Sequence, residues 1–384
     1  MNSQENKVIL IGGKHHNGLG LVRSFGRMGI KPYGIIVDEG EGVDFVKYSK
    51  YWADVKEVGD DRKALELLLR GFGKEKAKPV VIPWSDGAAE IIDKNYDILS
   101  EKYILPSIQG KQGRIAELMD KQKQIAFAQK LGLEMLPTRL VTIEELDSFA
   151  VEKPVFLKPV SSLEGSKKEM YICRDTQELS KAVEELREKK LERVLVQDYL
   201  QHRQEFVING GVSSKHCSFT VLSNIRQWPP QRGVGSFSVT AADKSTLSYC
   251  AKVLRKLQAY GYSGPVDIEF FVSGGKRYIN EINWRSGGRN FISKVSGVES
   301  AYIYYCDVTG RESDCPRVGR TRFYIMDEAT DIKNIFKGNV KAVKWLSDFV
   351  RTKSYAVWDS SDIKPALKRY FRMISQFVKG DMKV

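Results

Sequence analysis

The sequence predicts a mixed α/β and α+β fold, in which a parallel α/β domain precedes a region of strands and turns. Two observations support this prediction. Near the N-terminus, the apolar runs 7–11 and 33–38 flank a glycine-containing loop and a helical segment over about 19–28. A strand–loop–helix–strand order of this kind forms a right-handed parallel unit. From about Arg114 the character changes, and short strands separated by turns dominate.

Two loops of the N-terminal region are candidate substrate loops. Gly12–Gly20 follows the first predicted strand, and Pro83–Gly87 follows the strand 80–83. Ligands of open parallel sheets bind beyond the carboxyl ends of the strands. The first loop matches neither the dinucleotide fingerprint nor the P-loop, because Leu19-Gly20 replaces Lys-Ser/Thr. A purely structural turn therefore stays open, and we interpret His15 and His16 as loop residues rather than metal ligands.

The next region contains one predicted helix over 115–131 and then several short strands. We predict strands at 155–158, 169–173, 193–197, 205–211, 216–223 and 234–239, with helices over about 176–189 and 243–260. The short strands and charged helices favour α+β structure.

The most informative stretch is 266–289, which reads as two strands joined by a glycine turn. Alternation along the second strand places Glu281, Asn283 and Arg285 on one face, and Glu269 lies on the first strand. Carboxylate and amide oxygens suit Mg²⁺, which usually retains phosphate oxygens of its substrate. The segment therefore predicts the metal and phosphate end of a nucleotide site. The alternative is an amphipathic hairpin with its charged face in water.

Composition excludes several classes of protein. The 384 residues suffice for two or three domains, and 42% hydrophobic residues can bury a full core. The cysteines lie far apart without a CxxC pair, which argues against a zinc site and against disulfides and favours a cytoplasmic location. No signal-peptide pattern and no apolar run near 18 residues occur, so we expect no integral membrane segment.

The net charge of +13 leaves three kinds of partner to consider: nucleic acid, an anionic membrane and anionic small molecules. No Lys/Arg-rich block and no recognised nucleic-acid module occurs, so we expect no nucleic-acid partner. The C-terminal segment 365–378 is a basic amphipathic helix. Packing against its own domain is the commoner outcome for such a helix, and peripheral membrane contact stays open.

Taken in order, these motifs resemble the ATP-grasp superfamily of carboxylate–amine ligases over about residues 5–310. The closest likeness is to the D-aspartate ligase and carbamoyl-phosphate-synthase-like group. The resemblance implies a pre-ATP-grasp domain (1–113), a small lobe (114–196), a large lobe with the metal site (197–314) and a C-terminal extension (315–384). The two lobes would form the two-lobed ATP-grasp fold, which clasps ATP.

The resemblance also assigns nucleotide-binding residues. Lys121 (in Met119-Asp-Lys121) and Lys158 (in Pro154–Pro159) would contact ATP phosphates. Ser161–Ser166 occupies the place of the glycine-rich flap, although it holds one glycine where the family has several, and Ser162 would contact phosphate. The hinge and the strand after it supply the remaining contacts, to adenine and to ribose: Gln197, Tyr199, Leu200 and Glu205.

The metal strands complete the implied site. Glu269, Glu281 and Asn283 would hold Mg²⁺ (or Mn²⁺), and Arg285 would stabilise the transferring phosphoryl group. The family has Asn-Pro-Arg where this chain has Asn-Trp-Arg. Arg289 would clamp a substrate carboxylate, and Arg226 is either a phosphate or substrate ligand or a surface ion-pair residue.

These assignments predict an ATP-dependent ligase that joins a small-molecule carboxylate to an amine through an acyl phosphate. Amino acids are the expected substrates, and a homodimer is the default oligomeric state. Two alternatives stay open: a non-catalytic nucleotide-binding protein that kept the clasp, and a basic nucleic-acid or membrane-associated protein.

Overall fold

The computed structural model describes residues 6–38, 45–71, 75–160, 170–231 and 233–379. The N-terminal region forms a four-stranded parallel sheet in the order β3-β2-β1-β4. Its elements are β1 Val8–Gly13, α1 His16–Arg27, β2 Tyr33–Val37, β3 Asp54–Val58, α2 Asp61–Gly71, β4 Val80–Pro83, α3 Asp86–Lys94 and α4 Tyr96–Ser100. The predicted parallel α/β fold is confirmed, and it contains a strand (β3) and a helix (α2) that the sequence reading did not identify.

A second, antiparallel sheet follows in the order β6-β9-β7-β8. The elements up to its end are β5 Ser107–Ile108, α5 Arg114–Met119, α6 Lys121–Lys130, β6 Thr138–Thr142, β7 Val155–Pro159, β8 Tyr171–Cys173, α7 Thr176–Glu188 and β9 Arg193–Asp198. Helix α7 covers one face of this sheet with Leu179, Ala182, Val183 and Leu186, all buried.

The single helix predicted over 115–131 is wrong, because the chain forms two helices that meet at Asp120. The backbone of Asp120 is extended, and its side chain accepts a hydrogen bond from the backbone N–H of Lys123 at 3.0 Å. An aspartate in this conformation is a favourable N-cap, so it starts a new helix instead of continuing the first. Lys121 consequently lies at the first position of α6, next to the hairpin described below.

The largest sheet has the order β14-β13-β10-β11-β12-β15-β16, with β5 paired to β13. Its strands pair antiparallel, except that β15 and β16 are parallel. The remaining elements are β10 Gln204–Val212, β11 Cys217–Trp228, β12 Val234–Thr240, α8 Lys244–Ala259, β13 Tyr262–Ser273, β14 Lys276–Asn283, α9 Ser293–Ser296, α10 Ser300–Val308, β15 Tyr324–Met326, α11 Glu328–Asp331, α12 Lys333–Phe336, α13 Ala342–Arg351, β16 Ser354–Tyr355 and α14 Lys364–Val378.

One apolar core supports the hairpin β13–β14 from behind. Helix α8 buries Cys250, Val253 and Leu257 against the sheet, where they join Ile268 and Trp284. Trp284 is the residue that replaces the family's proline, and its side chain is fully buried. The indole therefore fixes the chain directly before Arg285 by packing, which positions the end of the hairpin.

The C-terminal segment is part of the main body in this structure. Strand β15 pairs with β12, and β16 continues the same sheet. Ala356, Val357 and Ala366 are buried in one core with residues of the N-terminal sheet. The domain boundaries drawn from the sequence stay predictions, but residues 315–379 are structurally integrated.

Candidate active site

The hairpin β13–β14 brings two pairs of polar side chains together. Glu269 lies directly opposite Glu281, and Asp267 lies directly opposite Asn283. Residues two apart on a strand share a face, so these four side chains lie on the same face of the hairpin. The sequence reading identified three of them. Asp267 was missed, although its place two residues before Glu269 was a usable signal.

Two lysines, one on α6 and one on β7, approach the carboxylate pair. Lys121 contacts Glu281 directly, and Lys158 lies buried in the same cavity. Burial raises the pKa of Glu281, but the charges of Lys121 and Lys158 outweigh burial and lower that pKa to about 2. Burial and the neighbouring charge of Lys121 lower the pKa of Lys158 to about 8. Two ammonium groups that share a buried cavity suit a polyphosphate ligand.

Arg285 connects the hairpin with the N-terminal domain. Its Nε donates a hydrogen bond to Oδ1 of Asp86 at 3.1 Å, and its Nη1 lies 3.9 Å from Oδ1 of Asp267. Burial alone would lower the pKa of Arg285, and the carboxylates of Asp86 and Asp267 raise it. Burial also raises the pKa of Asp267 to about 6, against the charges of Arg285 and Arg289. The Pro83–Gly87 segment, which contains Asp86, therefore reaches the site, and its role as a substrate loop stays a prediction.

The loop after Arg285 requires glycine for close approach. A side chain at Gly287 would overlap Oδ2 of Asp267, and one at Gly288 would meet Oδ1 of Asn17 at 2.8 Å and Nε2 of His16 at 3.2 Å. The Gly12–Gly20 loop is thus brought against the end of the hairpin. Nδ1 of His16 lies 3.9 Å from Oδ2 of Asp327, which belongs to the C-terminal segment.

A cavity of about 500 Å³ joins these groups, and it is the centre of the candidate site. It is lined by residues of all regions of the chain, among them His16, Asp86, Lys121, Lys158, Asp267, Glu269, Glu281, Asn283, Arg285, Arg289 and Asp327. The sequence reading placed His16 in a candidate substrate loop without giving it a role, and it had no signal for Asp327.

A smaller adjoining cavity of about 150 Å³ contains the predicted nucleotide contacts. Lys158, Gln197, Tyr199, Leu200 and Glu205 all line it. Lys158 Nζ donates to Oε1 of Gln197 at 3.4 Å, and Nε2 of Gln197 donates to Oγ1 of Thr138 at 3.0 Å. Side chains on the two neighbouring strands, β6 and β7, therefore hold the side chain of Gln197 in place.

Glu205 is held by an arginine that the sequence reading missed. Nη2 of Arg203 lies 2.8 Å from Oε1 of Glu205, and Asn224 and Gln227 donate to the other carboxylate oxygen. The guanidinium of Arg203 lies over the rings of Tyr199 and Phe271, at 4.6 and 4.7 Å from their centroids. Burial raises the pKa of Glu205, and the positive charge of Arg203 offsets part of this rise.

One predicted contact, Arg226, is not brought into the cavity, and a second cannot be placed. Ser162 lies outside the described residues. Arg226 pairs with Asp331 at 2.7 Å and also contacts Asp348, and both carboxylates are fully buried. This position corrects the expectation of a phosphate or substrate contact for Arg226, because its guanidinium is committed to anchoring the C-terminal segment.

The oxygen ligands fit a divalent cation that arrives with phosphate. Within the described ranges, no group of three or more His, Cys, Asp or Glu residues forms a metal centre by itself. Glu269, Glu281 and Asn283 nevertheless supply two carboxylates and an amide beside two lysines. Mg²⁺ characteristically takes one or two carboxylates and completes its shell with phosphate and water.

Comparisons with known proteins find ligases that are similar in sequence. No family model matches the chain. A D-alanine–D-alanine ligase of Fusobacterium nucleatum is 27% identical over 278 residues, which cover 71% of this chain and 83% of that protein. A D-aspartate ligase of Enterococcus faecium is 24% identical and covers 78% of this chain and 77% of its own length.

Solved structures show the same fold. N5-carboxyaminoimidazole synthetase of Staphylococcus aureus, complexed with ADP, matches with a TM-score of 0.65 at 16% identity, over 88% of this chain and 87% of that one. An L-amino acid ligase of Bacillus licheniformis matches with a TM-score of 0.59 at 16% identity, over 79% and 74% of the two chains. The chain is therefore similar in sequence to D-alanine–D-alanine and D-aspartate ligases, and it shares its fold with these solved structures.

Proposed function

We propose that the protein joins the carboxylate of one amino acid to the amine of a second substrate, with cleavage of ATP to ADP and phosphate. The observation that carries this proposal is the single cavity that joins Lys121 and Lys158 to the Glu269–Glu281 pair and to Arg285 and Arg289. The names of the curated relatives favour D-amino acids as substrates, since those proteins are D-alanine–D-alanine and D-aspartate ligases.

The nucleotide has a defined place in this proposal. Adenine lies in the smaller cavity beside Gln197, Tyr199 and Leu200, and the phosphates extend toward Lys158 and Lys121. Glu269, Glu281 and Asn283 would hold Mg²⁺, which would supply positive charge to offset the negative charge of the phosphates. The lysines and Arg285 contribute fixed positive charge in a buried site, where such charge is most effective.

The chemistry requires no nucleophilic side chain. A carboxylate oxygen of the first substrate attacks the γ-phosphorus, the bond to the β–γ bridging oxygen breaks, and ADP leaves. The amine nitrogen then attacks the carbonyl carbon of the acyl phosphate, the C–O bond breaks, and phosphate leaves with the former carboxylate oxygen. Arg285, oriented by Asp86 and Asp267, faces the transferring group, and Arg289 holds a substrate carboxylate.

The test is ADP release from ATP and Mg²⁺ with D- and L-amino acids, offered singly and in pairs. The proposal predicts release that depends on a particular pair and yields one amide product per ADP. Nucleotide binding without release, for every amino acid and every pair, would instead favour the non-catalytic alternative.

A further inference from the structure

Exposed apolar side chains are concentrated in the C-terminal segment. Among the described residues, thirteen large apolar side chains are exposed, and ten of them lie between residues 336 and 378. Monomeric soluble proteins rarely leave contiguous apolar surface of this kind uncovered. The fold therefore presents apolar surface in the region where the sequence also shows a basic amphipathic helix.

On α14 the exposed side chains form one stripe. Leu367, Phe371, Ile374 and Val378 are 43%, 69%, 59% and 78% exposed. Their spacings of four, three and four residues place them on one face of the helix.

An adjacent face of α14, about 100° around the helix from the stripe, is fixed to the body of the protein. Ala366 is fully buried, and Tyr370 and Met373 pack against the core that includes the N-terminal sheet. The hydroxyl of Tyr370 donates to Oε1 of Glu328 at 2.6 Å. Because this face is anchored, the apolar stripe points outward from a folded helix.

Within the segment 333–379, the exposed charge has one sign. Between residues 333 and 379, the acidic residues Asp348, Asp359 and Asp362 are all buried and pair with Arg226, Lys294 and Arg23. The exposed charged side chains of this segment are all basic: Lys337, Lys341, Lys344, Lys353, Lys364, Lys368, Arg372 and Lys379. Its exposed charge therefore complements an anionic surface.

We propose that α14 docks on an anionic lipid bilayer, with the stripe inserted at the boundary between headgroups and acyl chains. Such a surface supplies both an apolar layer and negative charge, which are the two properties that this face complements. A second copy of the helix would instead place like charges against one another. Helix α13 repeats the pattern, with Val343, Leu346 and Val350 exposed beside Lys341 and Lys344. Docking of this kind is independent of turnover.

The experiment is cosedimentation of the full chain with vesicles. We expect binding to vesicles of phosphatidylglycerol and phosphatidylcholine in about equal amounts, and little binding to phosphatidylcholine alone. Binding should weaken as salt rises, since the screening length falls from about 10 Å at 0.1 M to about 3 Å at 1 M.

Two pairs of variants separate the apolar and the electrostatic contributions. Leu367→Ser with Phe371→Ser should abolish most binding, whereas Ile98→Ser with Ile225→Ser, at exposed positions elsewhere, should leave binding unchanged. Lys364→Gln with Arg372→Gln should weaken binding by about 25-fold, at about fivefold per charge, and Lys63→Gln with Lys181→Gln should leave it unchanged. Circular dichroism of each variant distinguishes lost docking from lost folding.

Three results would overturn the proposal. The first is equal binding to neutral and anionic vesicles. The second is anionic binding that the α14 variants leave intact although they are folded. The third is absence of vesicle binding together with self-association that Leu367→Ser and Phe371→Ser abolish, which would assign the stripe to a second copy of the chain.

Discussion

At the scale of single residues, Lys158 has a charge that depends on what fills the cavity. Burial and Lys121 lower its pKa to about 8, and a polyphosphate would stabilise the charged form and raise this pKa. The ligand-bound state therefore takes up a proton. Affinity for ADP should be strongest below pH 8. Between the pKa of Lys158 in the free protein and its raised pKa in the ADP-bound protein, this affinity should fall by up to about tenfold per pH unit.

Titration calorimetry of ADP from about pH 7.5 upward, where the phosphates are already ionised, checks this expectation. Lys158→Arg is the matched variant, because its guanidinium stays charged over the whole range. Its affinity should not change with pH in this window. An equal decline in the variant and the natural chain would mean that another group binds the proton.

Glu281 is the second residue with a sharp prediction. Its carboxylate contacts Lys121 and lies opposite Glu269, so Glu281→Gln removes a proposed metal ligand while it keeps the shape of the side chain. Turnover should fall by at least about a hundredfold. Glu184→Gln, at an exposed position of α7, is the control. A folded Glu281→Gln protein with most of its activity would remove the metal assignment.

Single residues could be predicted from the sequence where the residues that meet in the site are also close together along the chain. Alternation along one strand was enough to place Glu281 and Asn283 on a common face, as the register of the hairpin shows. Asp327 could not be found in this way, since it reaches His16 from a part of the chain some 300 residues away. The partners of Arg226 were hidden for the same reason, because Asp331 and Asp348 are distant in sequence.

At the scale of elements, the sequence predicted those strands that contain a run of apolar residues. Strands β1, β2 and β4 are buried along most of their length, and each was recognised. Strand β3 has the sequence DVKEV and is largely exposed, so no apolar run marked it. The division between α5 and α6 depends on one capping side chain, Asp120, which periodicity does not detect.

The C-terminal segment is held to the N-terminal domain by a buried carboxylate. Asp362 accepts hydrogen bonds from Nε of Arg23 at 3.0 Å, Oγ of Ser49 at 2.7 Å and the backbone N–H of Lys50 at 3.0 Å. Asp362→Ala leaves the buried guanidinium of Arg23 without this charge partner. The free energy of unfolding should fall by about 3–5 kcal/mol.

Denaturant unfolding of the Asp362→Ala protein measures this loss. Asp314→Ala, at an exposed position, should change stability by less than about 0.5 kcal/mol. Equal stability of the two variants would mean that the contact contributes little to holding the segment in place.

At the scale of the whole molecule, the cavity proposed to hold the nucleotide is shared between two sheets. Lys158 and Gln197 come from the small antiparallel sheet, and Glu205, Glu269 and Glu281 come from the large one. A nucleotide that contacts both sheets should stabilise the folded protein, by about 2.7 kcal/mol at a hundredfold excess over its dissociation constant. Thermal unfolding with ADP and Mg²⁺ should show this stabilisation. A chelator of Mg²⁺ should remove the share of the stabilisation that depends on the metal ion.

None of the helices in the described residues combines the length and the hydropathy that a membrane span requires. The cytoplasmic location and the homodimer expected from sequence stay predictions. The fold class was predictable because each region has its own strand pattern, whereas the position of the C-terminal segment depends on contacts such as Arg23–Asp362 that only the folded chain brings together.

The most direct test of the central claim follows one oxygen atom. With the substrate pair that supports ADP release, the carboxylate of the acyl donor is labelled with ¹⁸O, and the released phosphate is analysed by mass spectrometry. An acyl phosphate predicts one ¹⁸O atom in the phosphate for each amide formed. Amide formation with unlabelled phosphate would contradict activation of the carboxylate by ATP.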